Sequence, residues 1–223
     1  MLSNSIAVFD KGAREYDEWF DSHPAVFQSE LLALEKFVPK SGVGIEVGVG
    51  TGRFAAALGI RVGVEPAANM REIAQSRGIE TIDGTAEALP FPDDNFDFVL
   101  FVTTICFVRD PKQALREAHR VLKSGGVIVA GIIDRESSLG KRYEKSDSPY
   151  YRSAHLIIAR ELKGWFRQTG FQDIQSCQTL KGDPESMKMP EAPIDDYGEG
   201  GFVVTAGRKK TQFGDSVHNP NAS

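Results

Sequence analysis

The sequence predicts an α/β fold in which helices cover both faces of a mostly parallel β-sheet. Residues 43–134 alternate between short apolar runs and amphipathic segments, an order typical of parallel strands joined by helical crossovers. The run 127–133 is apolar throughout, as is typical of a strand that is buried on both faces. With 223 residues, of which 41% are hydrophobic and 26% charged, the chain has enough apolar material for one core.

The spacing of apolar residues and the positions of proline and glycine predict each element in turn. The first 40 residues are predicted to form a helical cap, because Phe9, Tyr16 and Phe20 have near-helical spacing and Pro39 ends the second helical run. Strands are predicted at 43–47, 62–65, 80–83, 96–102, 127–133, 171–180 and 201–208. Helices are predicted directly after the first strand and at 67–76, 111–122 and 155–169.

The domain organisation is predicted to be one unit covering residues 1–210. Residues 134–169 are interpreted as a lid or insert region, because residues 134–154 are polar and a helix follows them. Residues 181–200 are rich in Pro, Glu, Asp and Gly and are predicted to be a long loop. The polar tail 211–223 lacks apolar periodicity and is predicted to be disordered.

A glycine-rich turn lies at the centre of this pattern. The segment 44–52, Gly-Ile-Glu-Val-Gly-Val-Gly-Thr-Gly, begins as an apolar strand and becomes a turn at Gly48, Gly50 and Gly52. Glycine in such a turn lets the backbone pass close to a ligand, because no Cβ obstructs it. Glu65 ends the next strand-like run, a position from which an acid can bond ribose hydroxyls. Together these features predict a nucleoside-binding site.

The register of the glycines disfavours a dinucleotide. A G-x-G-x-x-G pattern that starts at Gly48 would need its third glycine where Arg53 stands. The pattern is instead acid-x-G-x-G-x-G with Glu46 at its head, and an acid there suits a ligand that carries an ammonium group. A nicotinamide-dependent oxidoreductase is therefore the less favoured alternative.

Charge and cysteine content limit the other classes of function. The formal net charge is −5 and no basic stripe is present, which argues against a nucleic-acid partner. The two cysteines, Cys106 and Cys177, are far apart, and the four histidines share no spacing, so we expect neither a disulfide framework nor a metal site. No apolar run approaches the length of a membrane span and no leader is evident, so we expect a cytoplasmic protein without a membrane partner.

The segment after the third strand resembles a known family. Residues 83–97, Asp-Gly-Thr-Ala-Glu-Ala-Leu-Pro-Phe-Pro-Asp-Asp-Asn-Phe-Asp, resemble the adenine-contacting loop of class I S-adenosylmethionine-dependent methyltransferases of the small-molecule, type 11 kind. Residues 120–126, Arg-Val-Leu-Lys-Ser-Gly-Gly, resemble a second signature of that family, with Ser124 where proline is usual. The resemblance covers residues 44–133. It implies a three-layer Rossmann-like sandwich with a seven-stranded sheet of order 3-2-1-4-5-7-6, in which strand seven is antiparallel.

The resemblance also implies S-adenosyl-L-methionine as cofactor and S-adenosyl-L-homocysteine as product. By resemblance, Glu65 bonds both ribose hydroxyls, Glu46 lies near the methionine amino group, and Thr85 replaces the acid that usually meets the adenine amino group. The implied cofactor-binding residues are Tyr16, Glu46, Gly48, Gly50, Gly52, Glu65, Pro66, Met70, Thr85, Ala86, Glu87 and Thr103.

The sequence says less about the residues that bind the methyl acceptor than about those that bind the cofactor. Methyl transfer from a sulfonium is an in-line displacement, to which a protein contributes alignment and, where needed, a base. The candidate catalytic residues are Thr103, Asp134, Tyr151 and His155. The resemblance implies a small-molecule acceptor, and N, O, S and C acceptors stay open, as do a monomer and a homodimer. A non-catalytic protein that binds the cofactor is a second alternative.

Overall fold

A computed structural model describes residues 2–211, so most of the predicted disordered tail lies outside the described residues. Within them, eight strands form one sheet in the order β3-β2-β1-β4-β5-β8-β6-β7. The strands are β1 Gly44–Val47, β2 Val62–Val64, β3 Glu80–Ile82, β4 Phe96–Val102, β5 Leu122–Ile133, β6 Phe171–Thr179, β7 Ile194–Asp195 and β8 Phe202–Lys209.

Nine helices surround this sheet within the same residues. They are α1 Leu2–Lys11, α2 Ala13–Ser22, α3 Pro24–Glu35, α4 Arg53–Leu58, α5 Ala68–Ser76, α6 Pro111–Val121, α7 Ser138–Glu144, α8 Pro149–Arg152 and α9 Ala159–Thr169. None of the helices described is both long enough and apolar enough to cross a membrane.

The sheet confirms the predicted fold. Strands β3, β2, β1, β4 and β5 pair in parallel, and β8 is antiparallel to both β5 and β6. When the two-residue β7 is set aside, the order is the predicted 3-2-1-4-5-7-6. Strand β7 lies within the predicted loop 181–200, where Ile194 and Asp195 pair with Gln178 and Cys177 and so extend the edge of the sheet beyond β6.

The predicted boundary between α6 and β5 is wrong. The helix ends at Val121, and β5 begins at Leu122 instead of at residue 127. Leu122 has left the helical conformation, with ψ at 136°, and pairs with Phe96 of β4 ahead of an irregularity in the ladder. Gly125 and Gly126, which lie between the predicted helix and the predicted strand, are therefore inside an irregular strand.

The helix predicted at 155–169 begins at Ala159. The residues before it are extended because other segments bind their backbone groups. The N–H of His155 donates to the Cys106 carbonyl oxygen at 2.7 Å, and the N–H of Arg135 donates to the Ile157 carbonyl oxygen at 3.1 Å. These bonds tie the predicted lid region to the ends of β4 and β5.

Strand β4 contributes to a hydrophobic core on each face of the sheet. Phe98, Leu100 and Val102 pack into the cluster beneath the cap helices. Val99 and Phe101 pack into the opposite cluster, which also contains residues of α6 and α9. Because both faces are covered, the parallel strands are buried and their carboxyl ends meet at one edge of the sheet.

The N-terminal helices are held to this edge by charged side chains. Asp17 in α2 accepts hydrogen bonds from Arg53 and Arg77, each at 2.7 Å. Although burial opposes its ionisation, these two guanidinium groups lower the pKa of Asp17 to about 2. Asp10 at the end of α1 accepts the Asn69 N–H at 2.8 Å. The cap is therefore fixed directly over the glycine turn and α5.

Candidate active site

A cavity of about 450 Å³ lies between the carboxyl edge of the sheet and the N-terminal helices. Its floor comes from the loops after three neighbouring strands: Gly48 and Gly50 follow β1, Glu65 follows β2, and Thr103 follows β4. Ligands of open α/β sheets bind at this edge. The aromatic residues that line the cavity are Phe9, Tyr16, Trp19, Phe20, Phe107, Tyr143, Tyr150 and Tyr151.

Several of these rings pack against one another and close the cavity from above. The Phe9 ring lies 4.8 Å from that of Phe107 and 5.2 Å from that of Tyr150, measured between centroids. The Tyr150 hydroxyl donates to the Gly12 carbonyl oxygen at 3.0 Å, which joins α8 to the cap. The arrangement can separate a small ligand from bulk water.

The three glycines of the turn have different roles. Gly48 has φ of +71°, and a Cβ there would lie 2.3 Å from the Thr104 side chain. Gly50 has φ of +53°, but no atom lies within 4 Å of a Cβ at that position, so its backbone borders open space in the cavity. Gly52 does not line the cavity; its Cβ would lie 3.0 Å from Ala74 in α5. Gly52 thus serves the packing of helices, and Gly50 offers close approach to a ligand.

Glu65 joins the glycine turn to the end of β2. Its Oε2 atom accepts the Gly50 N–H at 3.0 Å and its Oε1 atom accepts the Ala67 N–H at 2.9 Å. Burial raises the pKa of Glu65, and these two N–H groups oppose that rise. Each carboxylate oxygen can accept a second hydrogen bond, so the side chain has capacity for two hydroxyl groups of a ligand.

Glu46 lies beneath the turn, in the middle of β1. Its side chain is 2% exposed and outside the cavity lining, and its Oε2 atom has no hydrogen-bond partner, the only such buried side-chain atom in the part of the chain that the structure describes. Burial raises its pKa well above the ordinary value, although the backbone of Ala55 opposes this. An unsatisfied buried oxygen beside the turn is consistent with a further polar ligand group there.

The remaining cofactor residues from the sequence prediction lie in the cavity wall. Pro66 and the buried Met70 follow β2, and they face the segment that contains Thr85, Ala86 and Glu87. This pair of segments provides apolar surfaces and hydrogen-bonding groups of the kind that hold a base. These residues and the Glu65 carboxylate fit the adenosine part of S-adenosylmethionine, and the open backbone at Gly50 fits the part next to it.

Thr103 occupies a strained position at the end of β4. Its φ of +48° is in the left-handed region, which a threonine rarely adopts. The surroundings enforce the conformation: its N–H donates to the Gly131 carbonyl oxygen at 2.8 Å, and its own carbonyl oxygen accepts from the Cys106 thiol at 3.3 Å. The side chain interacts with the Tyr16 hydroxyl. Strain of this kind is found at ligand sites, and Thr103 lines the cavity.

The four predicted catalytic residues are not brought together. Thr103 and Tyr151 line the cavity, whereas Asp134 and His155 do not. Asp134 is buried and accepts the N–H groups of Glu136 at 2.9 Å and Ala159 at 3.3 Å, so it caps the turn that leads into α9. His155 is exposed. These contacts give Asp134 a structural role, and neither residue enters our proposal for the site.

Glu30, which was not among the residues predicted from the sequence, lines the cavity from α3. Its side chain is 6% exposed. Burial raises its pKa to about 8, so in the free protein the side chain is mostly protonated at neutral pH. The signal was present in the sequence: Val26, Glu30 and Leu34 are spaced four residues apart, which places the acid on the apolar face of the helix.

Three tyrosines share the wall of the cavity with Glu30. Burial is the main reason that the pKa values of Tyr16, Tyr143 and Tyr151 are raised, and the charge of Glu30 raises all three further. The rings of Tyr143 and Tyr151 stack with centroids 3.8 Å apart. The phenols therefore stay protonated at neutral pH. Among residues 2–211, no group of three or more His, Cys, Asp or Glu side chains is placed to hold a metal ion.

Comparisons with known proteins identify the relatives of this chain. A family model described as a methyltransferase domain matches residues 45–130. A crystal structure from Thermotoga maritima, described as a SAM-dependent methyltransferase and possible histamine N-methyltransferase, is 46% identical with a TM-score of 0.90, and the match covers 92% of this chain and 100% of that chain.

Two curated relatives extend the comparison. An uncharacterized protein of Methanocaldococcus jannaschii is 45% identical over 204 residues, which are 91% of this chain and 98% of the relative. The demethylmenaquinone methyltransferase of Staphylococcus epidermidis is 27% identical over 198 residues, and the match covers 78% of this chain and 80% of the relative.

Proposed function

This chain belongs to the class I S-adenosylmethionine-dependent methyltransferases, and we propose that it transfers the methyl group to a small molecule bound in the cavity. S-adenosylmethionine is its cofactor, and when bound it supplies an electrophilic methyl group on sulfur. The observation that carries the proposal is the Glu65 carboxylate, which holds the glycine turn through the Gly50 N–H and retains acceptor capacity for ribose hydroxyls.

The other residues of the cavity have proposed roles that follow from their positions. Pro66, Met70 and Ala86 would enclose the adenine, and Thr85 would offer it a hydrogen bond. The backbone at Gly48 and Gly50 would pass along the ribose and the amino-acid part. We propose that Thr103 and Tyr16, which interact at the end of β4, separate the cofactor from the acceptor.

In the methyl transfer, the main role of the protein is to align the acceptor with the methyl donor. Holding the nucleophile in line with the methyl–sulfur bond removes much of the entropic barrier of a bimolecular reaction. The aromatic residues above the cavity exclude water that would compete as a nucleophile. Because the cap, the sheet and residues 138–152 all line the one cavity, we propose that residues 1–210 act as one domain.

The names of the relatives suggest two classes of acceptor. The Staphylococcus relative is named a demethylmenaquinone methyltransferase, and the Thermotoga protein is described as a possible histamine N-methyltransferase. The enclosed cavity and the net charge of −5 favour a small molecule over a nucleic acid. We therefore propose a compact acceptor with an apolar body.

We expect S-adenosylhomocysteine to stabilise the protein against heat. At 100 times its dissociation constant, a ligand of the folded state adds about 2.7 kcal/mol, or a rise in Tm of roughly 5–10 °C for a chain of this size. Methyl-labelled S-adenosylmethionine with amines, thiols, phenols and quinols as acceptors then tests transfer. Stabilisation without labelled product in any class would favour a non-catalytic binding protein. Stabilisation by NAD and not by S-adenosylhomocysteine would contradict the proposal.

A further inference from the structure

Glu30 is a buried acid in the cavity wall, and within the described chain its carboxyl group has neither a hydrogen bond nor an ion pair. A structural carboxyl on an apolar helix face normally has hydrogen-bond donors around it, because an unpaired buried charge is costly. Val26 and Leu34, its neighbours one turn away on α3, are apolar and buried. The side chain therefore stays mostly protonated at neutral pH until a cationic partner in the cavity stabilises its carboxylate form.

The charged residues that line the cavity indicate the sign of the charge on that partner. Among the described residues that line it are five carboxylates and no lysine, arginine or histidine. The five are Glu15, Glu30, Glu65, Glu87 and Glu185. Such a wall repels phosphates and carboxylates and favours a cationic ligand. Glu65 and Glu87 already accept backbone N–H groups, Glu185 pairs with His23 at the rim, and Glu15 is exposed. Glu30 is thus the buried carboxylate left for the acceptor.

The rings around Glu30 suit a cation as well. Tyr16, Tyr143 and Tyr151 line the same cavity as Glu30, and the rings of Tyr143 and Tyr151 stack with centroids 3.8 Å apart. A charge on Glu30 raises the pKa of all three phenols. Trp19 lines the same cavity from α2. Aromatic faces attract ammonium groups, and the attraction grows when the site is shielded from water. A carboxylate within a group of rings is thus a site for an amine.

We propose, as a refinement of the proposed function on which it rests, that the methyl acceptor is an amine whose nitrogen is held by Glu30 among the rings of Tyr16, Tyr143 and Tyr151. The amine enters as its ammonium form and gives one N–H proton to the Glu30 carboxylate. The freed nitrogen lone pair forms the new C–N bond while the methyl–sulfur bond of the donor breaks, and that bond's electron pair stays on sulfur. Glu30 is thereby both the binding group and the base.

A neutral acceptor gives the competing explanation. A quinol or a phenol is neutral and can donate its O–H to either glutamate or glutamine at position 30, so its binding should depend little on the negative charge. The two acceptor classes therefore make opposite predictions for Glu30→Gln, which keeps the size and the hydrogen-bonding capacity of the side chain and removes its negative charge.

The test is a titration of the protein saturated with S-adenosylhomocysteine, for the wild type and for Glu30→Gln. Glu35→Gln, on the same helix but outside the cavity, is the matched control. The cationic probes are phenethylamine, tyramine, tryptamine, histamine and spermidine, and the neutral probes are 2-phenylethanol and menadiol.

We expect at least one amine to bind the wild type and Glu35→Gln equally, and to bind Glu30→Gln roughly 30-fold or more weakly, because one partner of a buried charge pair is lost. S-adenosylhomocysteine should bind all three proteins alike, which also shows that the variants are folded. Equal amine affinity in Glu30→Gln, or binding of neutral probes only, would overturn the inference. If S-adenosylhomocysteine fails to bind the wild type, the proposed function itself fails, a separate outcome.

Discussion

Replacing Gly50 with alanine is expected to abolish cofactor binding while the protein stays folded. The position has φ of +53° and open space around a Cβ, so the new methyl group would lie where the ligand passes the backbone. An alanine in the left-handed conformation lowers the free energy of unfolding by about 1–2 kcal/mol, which is a modest fraction of that free energy. Displacing the ligand by a methyl group costs more, and we expect S-adenosylhomocysteine to bind about 100-fold more weakly or not at all by calorimetry.

Gly59→Ala is the matched control for this prediction. Gly59 has φ of +73°, also has no atom within 4 Å of a Cβ, and ends α4 outside the cavity lining. Both variants should therefore lose similar stability in a denaturant titration, and only Gly50→Ala should lose binding. Wild-type affinity in both variants would mean that no ligand approaches the turn at Gly50.

Replacing Glu65 with alanine is expected to weaken cofactor binding by roughly 1.5–3 kcal/mol, or about 10- to 150-fold, the value of hydrogen bonds to a charged group. The change also removes the acceptor for the N–H groups of Gly50 and Ala67, so the turn itself should loosen. The affinity of S-adenosylhomocysteine, measured by calorimetry, and the Tm of the free protein separate the two effects.

Glu65→Gln and Glu72→Ala complete the comparison. Glutamine keeps an acceptor for one N–H group, so ligand-free Glu65→Gln should be more stable than ligand-free Glu65→Ala. Its affinity for S-adenosylhomocysteine should stay below that of the wild type. Glu72 is an exposed acid on the neighbouring helix α5 and should have no effect on either quantity. An unchanged affinity in Glu65→Ala would refute the ribose-binding role.

The parts of the fold that could be predicted are those that local sequence determines. The alternation of Phe98 to Val102 between the two cores follows from strand geometry, and the helix beginning at Pro111 follows from its cap at Asp110. The predictions that were wrong concern residues whose conformation depends on pairing with a strand distant in the sequence. Leu122 becomes a strand residue because it pairs with Phe96, and no local pattern at residue 122 shows this partner.

The two halves of the site differ in the same way. The proposed cofactor half could be predicted because Gly50 and Glu65 follow consecutive strands, so their spacing in the sequence relates them. The proposed acceptor half combines Glu30 from α3 with Tyr143 and Tyr151 from helices more than a hundred residues later. Only the folded chain brings them together. Asp134 was expected at the acceptor because it ends a strand, but its carboxylate is engaged by backbone N–H groups.

The central claim is that one cavity holds the cofactor at Glu65 and the acceptor at Glu30. A crystal structure of the protein with S-adenosylhomocysteine tests it most directly. We expect both ribose hydroxyls within hydrogen-bond distance of the Glu65 carboxylate, the thioether sulfur next to Thr103, and open space between that sulfur and Glu30. A nucleoside bound with its ribose away from Glu65, or one that fills the space beside Glu30, would contradict it.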